Sequence, residues 1–284
     1  MNTSTTPPAG IFPSAREDAR IANAATITAQ TEHPAYALAF QDKEFLLRED
    51  LRPVRFQLEL LKAELALAEA GIDSTFVFYG SARIPSPDEV EGLLAAAMTA
   101  ETLAVAQRLG AKARYYTVAR ELAALASGAD ADGKRAFTVC SGGGPSIMEA
   151  ANRGANDVGA PSVGLNIVLP FEQVPNPYVT PGLSFQFHYF ALRKMHFLLR
   201  AKAVAVFPGG FGTFDEFFEL LTLVQTGKVA ALPILLYGRE FWTKIVNFEA
   251  LADEGVIAHS DLALFHIVET AEEGWAIVEA YLAG

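Results

Sequence analysis

The 284-residue chain has a single cysteine, so no internal disulfide can form, and the expected setting is a reducing compartment. Cys140 ends the apolar run Ala136-Phe137-Thr138-Val139 and is expected to be a buried structural thiol. Basic residues are also scarce. Twenty-two Lys and Arg stand against 33 Asp and Glu, a net charge of -11, which argues against a nucleic-acid or anionic-membrane surface while allowing a small basic pocket. No apolar run approaches the roughly 20 residues of a membrane span. The first thirty residues hold no continuous apolar core of the signal-peptide kind, so the expectation is a soluble, cytoplasmic protein without membrane partners. The five histidines are scattered, with His188 and His196 off ligand spacing and no H-E-x-x-H, so neither a metal nor another cofactor is expected.

Three familiar fingerprints are missing as well. Gly210-x-Gly212 runs into Thr, Phe and Asp, and Gly142–Gly144 into Pro, Ser and Ile, so neither completes G-x-G-x-x-G, and the strand expected over 163–169 does not end in an acidic residue. Gly227-Lys228 is followed by Val229, which breaks the Walker pattern, and no G-x-S-x-G elbow exists. A phosphate site without these fingerprints points to a mononucleotide or another small phosphate ester.

What the chain does have is an alternation of short apolar runs and helical periodicity. Residues 1–40, with Pro7, Pro8, Pro13 and Pro34 among small and polar residues, read as a loose lead-in. Residues 41–71 read as a long amphipathic helical extension interrupted at Pro53, and 72–284 as the α/β body. Strands are expected at 75–79, 136–140, 163–169, 203–207, 234–237 and 264–268. Helices are expected at about 87–109, 112–127, 145–156, 187–200 and 239–254, from the glycine turn at 209–212 to about 226, and from 270 onward. This order implies a doubly wound, Rossmann-like, mostly parallel sheet with helices on both faces. Ligands in that architecture sit beyond the carboxyl ends of the strands. The turns carrying Gly80 and Ser81, Gly143 and Gly144, and Gly209 to Gly212 all follow strands and should converge on one rim.

The third turn organises the rest. Phe207-Pro208-Gly209-Gly210-Phe211-Gly212-Thr213-Phe214-Asp215-Glu216 joins a buried strand to a helix. Glycine permits a sharp turn and close approach to a ligand, and free N–H groups at a helix start favour an anion. Thr213-x-x-Glu216 can be read as a capping box, or Glu216 can face a part of the ligand other than its phosphate. Arg193-Lys194 lies among Phe190, Met195 and Phe197, where two cations must snorkel, form structural ion pairs or meet an anion. Glu149 and Asp215 read as carboxylates complementing helix starts.

Together Gly80-Ser81-Ala82-Arg83, Ser141-Gly142-Gly143-Gly144-Pro145-Ser146-Ile147-Met148-Glu149-Ala150, Phe190-x-x-Arg193-Lys194 and Pro208-Gly209-Gly210-Phe211-Gly212-Thr213-x-x-Glu216 resemble the LOG (Lonely guy) family, long labelled lysine decarboxylases. The resemblance covers roughly residues 72–282. It implies hydrolysis of the N-glycosidic bond of adenine-type nucleoside 5′-monophosphates, AMP and cytokinin riboside monophosphates among them, to free base and ribose 5-phosphate. Under it Arg193 and Glu216 match the catalytic pair, Gly209, Gly210, Gly212 and Thr213 the phosphate loop, and Lys194 and Thr222 further ligand-contacting positions. Plant-type members read M-H-x-R-K where this chain has Phe190-Ala191-Leu192-Arg193-Lys194, and about seventy extra N-terminal residues make it more like a longer bacterial subgroup.

Chemistry agrees with the resemblance, since breaking a ribosyl C–N bond builds positive charge on the sugar that a carboxylate stabilises. A non-catalytic nucleotide carrier or sensor on the same fold is the alternative. Nothing in the sequence supplies a recognisable pyridoxal-phosphate lysine. Apolar helix faces at 45–67 and 87–109 lead to the expectation of a homodimer or higher homo-oligomer.

Overall fold

The computed structural model describes residues 13–128, 135–170 and 174–283, so Pro7 and Pro8 of the lead-in lie outside the described residues. The chain divides into two compact units, Met1–Leu58 and Glu59–Gly284. In the first, α1 (Ala15–Asn23) starts at a capping box, with Glu17 N–H donating to Ser14 Oγ at 3.2 Å and Ser14 N–H to the Glu17 carboxylate at 2.9 Å. Part of the expected loose lead-in is therefore helical. The single helix expected from Asp42 is instead α2 (Lys43–Leu46), a 3-10 turn and α3 (Arg52–Glu69), because Pro53 suits the first turn of a helix and not its interior.

The division between the two compact units falls inside α3. Ala63 and Leu67 are buried, Glu64 forms a two-pronged pair with Arg200 at 2.7 and 2.8 Å, and all four belong to the second unit. In that unit follow β1 (Thr75–Tyr79), α4 (Val90–Ala95), α5 (Ala100–Gly110), α6 (Arg114–Ser127), β2 (Thr138–Ser141), α7 (Ile147–Asp157), β3 (Ser162–Ile167), β4 (Ser184–Phe187) and α8 (Phe190–Leu199). The order continues with β5 (Ala201–Val206), α9 (Phe211–Gln225), β6 (Ile234–Tyr237), α10 (Arg239–Ile245), α11 (Phe248–Asp253), β7 (His266–Val268) and α12 (Ala271–Ala283). The helix expected over 87–109 is divided where Thr99 caps α5, and that over 239–254 where Asn247 caps α11.

Among the described residues seven strands form one sheet, all parallel, in the order β4-β3-β2-β1-β5-β6-β7. The fold is thus the doubly wound α/β class. β4 was not expected: its Ser-Phe-Gln-Phe pattern alternates between sheet faces as an edge strand does, but it is short and follows a proline-rich loop. Both faces of the central strands are covered, which is why β1 and β6 are buried at every position. On one face Phe76, Phe78, Ala203, Ala205, Leu235 and Tyr237 pack with α6, α7 and α12. On the other, Tyr79 meets Phe197 of α8 edge to face at 5.1 Å, and Phe217 of α9 packs on Trp242 of α10. Each such fully buried side chain contributes roughly 1.5–3 kcal/mol of transfer free energy. Among the described residues no helix is long and apolar enough to cross a membrane.

This strand order fixes the site. β1 lies between β2 and β5, so the connections leaving β1 and β5 diverge and open a crevice at their carboxyl ends. The two turns meet there, Ser81 N–H donating to the Pro208 carbonyl at 3.1 Å.

Candidate active site

A cavity of about 850 Å³ occupies this crevice. The three glycine turns converge on it: Gly80 to Arg83 after β1, Gly142 and Gly144 after β2, and Gly209, Gly210 and Gly212 after β5. Thr213, Arg193 and Glu216 also line it, with Met148, Ile167, Leu169, Phe190, Phe211, Phe214 and Ile245 as apolar wall.

The glycine loop leads into α9 without a side-chain cap. The first intrahelical bond of this turn runs from Phe214 N–H to the Gly210 carbonyl, so the N–H groups of Phe211, Gly212 and Thr213 have no intrahelical acceptor. Gly209 is required sterically, since a Cβ there would come within 2.2 Å of Thr213 Oγ1. At Gly210 and Gly212 a Cβ would meet no protein atom within 4 Å.

Because α9 begins at Phe211, Thr213 and Glu216 do not form the capping box that their spacing permits. Glu216 sits in the second turn, beyond the orphan N–H groups, and its carboxylate faces Arg193 Nη1 at 3.3 Å. Burial raises the Glu216 pKa to about 7; the nearby Arg193 and Lys194 pull it down, but not enough to offset burial and the neighbouring Asp215 and Glu219. Arg193 comes from α8, and the residues leading into that helix are held by Glu59, whose carboxylate accepts from His188 N–H at 2.6 Å and Tyr189 N–H at 3.2 Å. Its Nε donates to the Leu165 carbonyl at 2.6 Å, and its guanidinium lies 4.9 Å from the Phe197 ring centroid. A Cβ on Gly142 would come within 2.5 Å of Arg193 Nη2, so the second turn is glycine partly to admit this cation.

The second turn is held by a polar network. Ser141 Oγ and Asn176 Nδ2 both donate to Asn152 Oδ1, Gly143 N–H donates to Ser141 Oγ, and Asn176 N–H donates to the Gly143 carbonyl. Gly143 has φ of 72° and packs on Asn166, so it shapes the turn and does not line the cavity.

Two further candidates lie outside the cavity lining. Lys194 Nζ is bound by Asp215 at 2.9 Å and Glu219 at 3.0 Å on the outer side of α9, and so takes the structural ion-pair alternative. Thr222 Oγ1 donates to the Phe218 carbonyl of its own helix at 2.8 Å. Neither lines the cavity. Glu149 turns to α6, accepting from the Tyr116 hydroxyl at 2.8 Å, and Cys140 is buried, its thiol pushed up to about 12 by burial. Asn166 was missed by the sequence reading. It lines the cavity with Nδ2 donating to the Phe185 carbonyl at 3.1 Å, and the available signal was one amide within the apolar run Val163 to Leu169.

Fold and crevice define a Rossmann-like α/β protein with a cavity at the point where strand order reverses. Residues 148–278, which include Arg193, the third glycine turn and Glu216, match the family described as "Possible lysine decarboxylase", the older label of the LOG proteins. No curated protein sequence matches the chain. Among solved structures it is similar to TM1055, a structural-genomics target, at 19% identity and a TM-score of 0.45, over 73% of this chain and 99% of that one. It is also similar to the Moco carrier protein from Chlamydomonas reinhardtii at 20% identity and a TM-score of 0.42, over 74% and 98% respectively.

Proposed function

We propose that the protein hydrolyses the N-glycosidic bond of a purine nucleoside 5′-monophosphate, releasing free base and ribose 5-phosphate. The observation that carries this reading is a buried carboxylate, Glu216, one turn beyond an uncapped glycine-loop helix start on the wall of one cavity. The N–H groups of Phe211, Gly212 and Thr213 bind the 5′-phosphate. Held there, the ribose directs C1′ at Glu216, and the base lies against the apolar wall that includes Phe190 and Phe211. As the C–N bond breaks, its electron pair leaves with the base, which takes a proton from solvent, and the carboxylate stabilises the positive charge left on the sugar. Water then bonds to C1′ and gives its proton to Glu216. Arg193 orients Glu216 and, fixed to Leu165, needs no reorganisation as charge develops.

Decarboxylation through a lysine Schiff base fits the cavity poorly, because none of its described lining residues is lysine and Lys194 is engaged elsewhere. The test is incubation with AMP and a panel of other nucleoside monophosphates, scored by release of free base. Adenine release supports the hydrolase. Unchanged AMP that nonetheless raises the melting temperature identifies a carrier or sensor. A homo-oligomer belongs to the same proposal, on the ground that Leu61 and Leu65 of α3 are about half exposed; mass measurement in solution decides it.

A further inference from the structure

The charge balance of the cavity singles out Arg83. Among the described lining residues only Arg83, Arg193 and Glu216 are ionisable, and the last two face each other. Arg83 is exposed and has no acidic partner among the described residues, in a chain of net charge -11. Its backbone is nevertheless fixed on every side. Arg83 N–H donates to Ser81 Oγ at 2.9 Å, and Ser81 N–H donates to the Pro208 carbonyl of the facing glycine turn. The next residue, Ile84, is 2% exposed, and its carbonyl accepts from Ser146 Oγ at the start of α7. A turn with a fixed backbone thus places Arg83, a cation with no acidic partner among the described residues, on the wall of the cavity that also receives the uncapped start of α9.

We propose that Arg83 binds the phosphate of the substrate opposite the α9 amides and so makes the site selective for phosphorylated over unphosphorylated nucleosides. This rests on the hydrolase reading for its substrate and assigns a residue beyond the glycine loop to recognition. A guanidinium matches phosphate oxygens with two parallel donors, which a lysine cannot reproduce. Arg83 takes no part in bond cleavage, so its contribution is the same in the ground and transition states.

The test uses full-length wild type, Arg83→Ala and Arg83→Lys, with circular dichroism to confirm folding. Arg83→Ala is expected to raise KM for AMP at least about tenfold, with a much smaller effect on kcat, and Arg83→Lys to recover part of the loss. Ribose 5-phosphate, measured by calorimetry, should weaken by a similar factor, whereas inhibition by free adenine should not change. Ribose 5-phosphate affinity within twofold of wild type in Arg83→Ala would overturn the proposal. Should wild type bind AMP without releasing adenine, the hydrolase reading fails alone, and the ribose 5-phosphate comparison still decides the role of Arg83.

Discussion

Arg193 is anchored to Leu165 more tightly than to Glu216: its Nε donates to the Leu165 carbonyl at 2.6 Å, against 3.3 Å from Nη1 to the carboxylate. The cation therefore keeps its place when the acid is changed, and the acid keeps an oxygen for a ligand. Glu216→Gln is expected to fold and to bind AMP, while base release falls by about 10² or more, the scale of losing a positioned acid–base group. Near-normal turnover in this variant would remove Glu216 from the chemistry.

A pKa of about 7 for Glu216 has two consequences of different sign. Activity that needs the carboxylate rises with pH through about 7, and the residual activity of Glu216→Gln lacks that limb. Stability moves the other way. The folded pKa lies above the ordinary carboxylate value, so the native state holds more protons, and stability falls as pH rises from about 4.5 to about 7. Glu216→Gln should therefore raise the melting temperature relative to wild type at pH 8 and not at pH 4. The gain is on the order of 3 kcal/mol at most, reduced by the pairing that Arg193 loses. Equal shifts at both pH values would show that burial does not raise this pKa.

Gly209 and Gly212 stand three residues apart and should respond oppositely to alanine. Gly209→Ala forces a methyl into Thr213 and lowers the melting temperature. Gly212→Ala meets no protein atom and improves helix propensity by about 1 kcal/mol, so it is at least as stable as wild type. If the loop holds phosphate, the same methyl crowds the anion and raises KM for AMP. A Gly212→Ala enzyme with unchanged KM would place the phosphate elsewhere.

His196 is buried in α8 against Phe187, and burial lowers its pKa. Glu64 opposes that shift and Arg200 adds to it. The unfolded chain takes up a proton near pH 6.5 that the folded state resists, so this contribution is complete above about pH 6.5 and lost as pH falls. His196→Leu is expected to flatten the decline in melting temperature between pH 6.5 and 5. An unchanged decline would assign the acid sensitivity to other groups.

The sequence by itself determined the alternation of strands and helices, the position of each glycine turn after a strand, and hence that these turns share a rim. Those features follow from local periodicity and from the directionality of parallel sheets. The inward position of Arg193 was also within reach, since Leu192, Arg193, His196 and Phe197 form one buried stripe at helical spacing that leaves Lys194 outside. Only the tertiary structure decided that Asp215 and Glu219 engage Lys194, that α9 starts at Phe211 and so releases Thr213 and Glu216 from a capping box, and that Asn166 reaches the cavity. It alone set the Glu216 pKa, because burial and a facing cation depend on what the rest of the fold brings against that carboxylate.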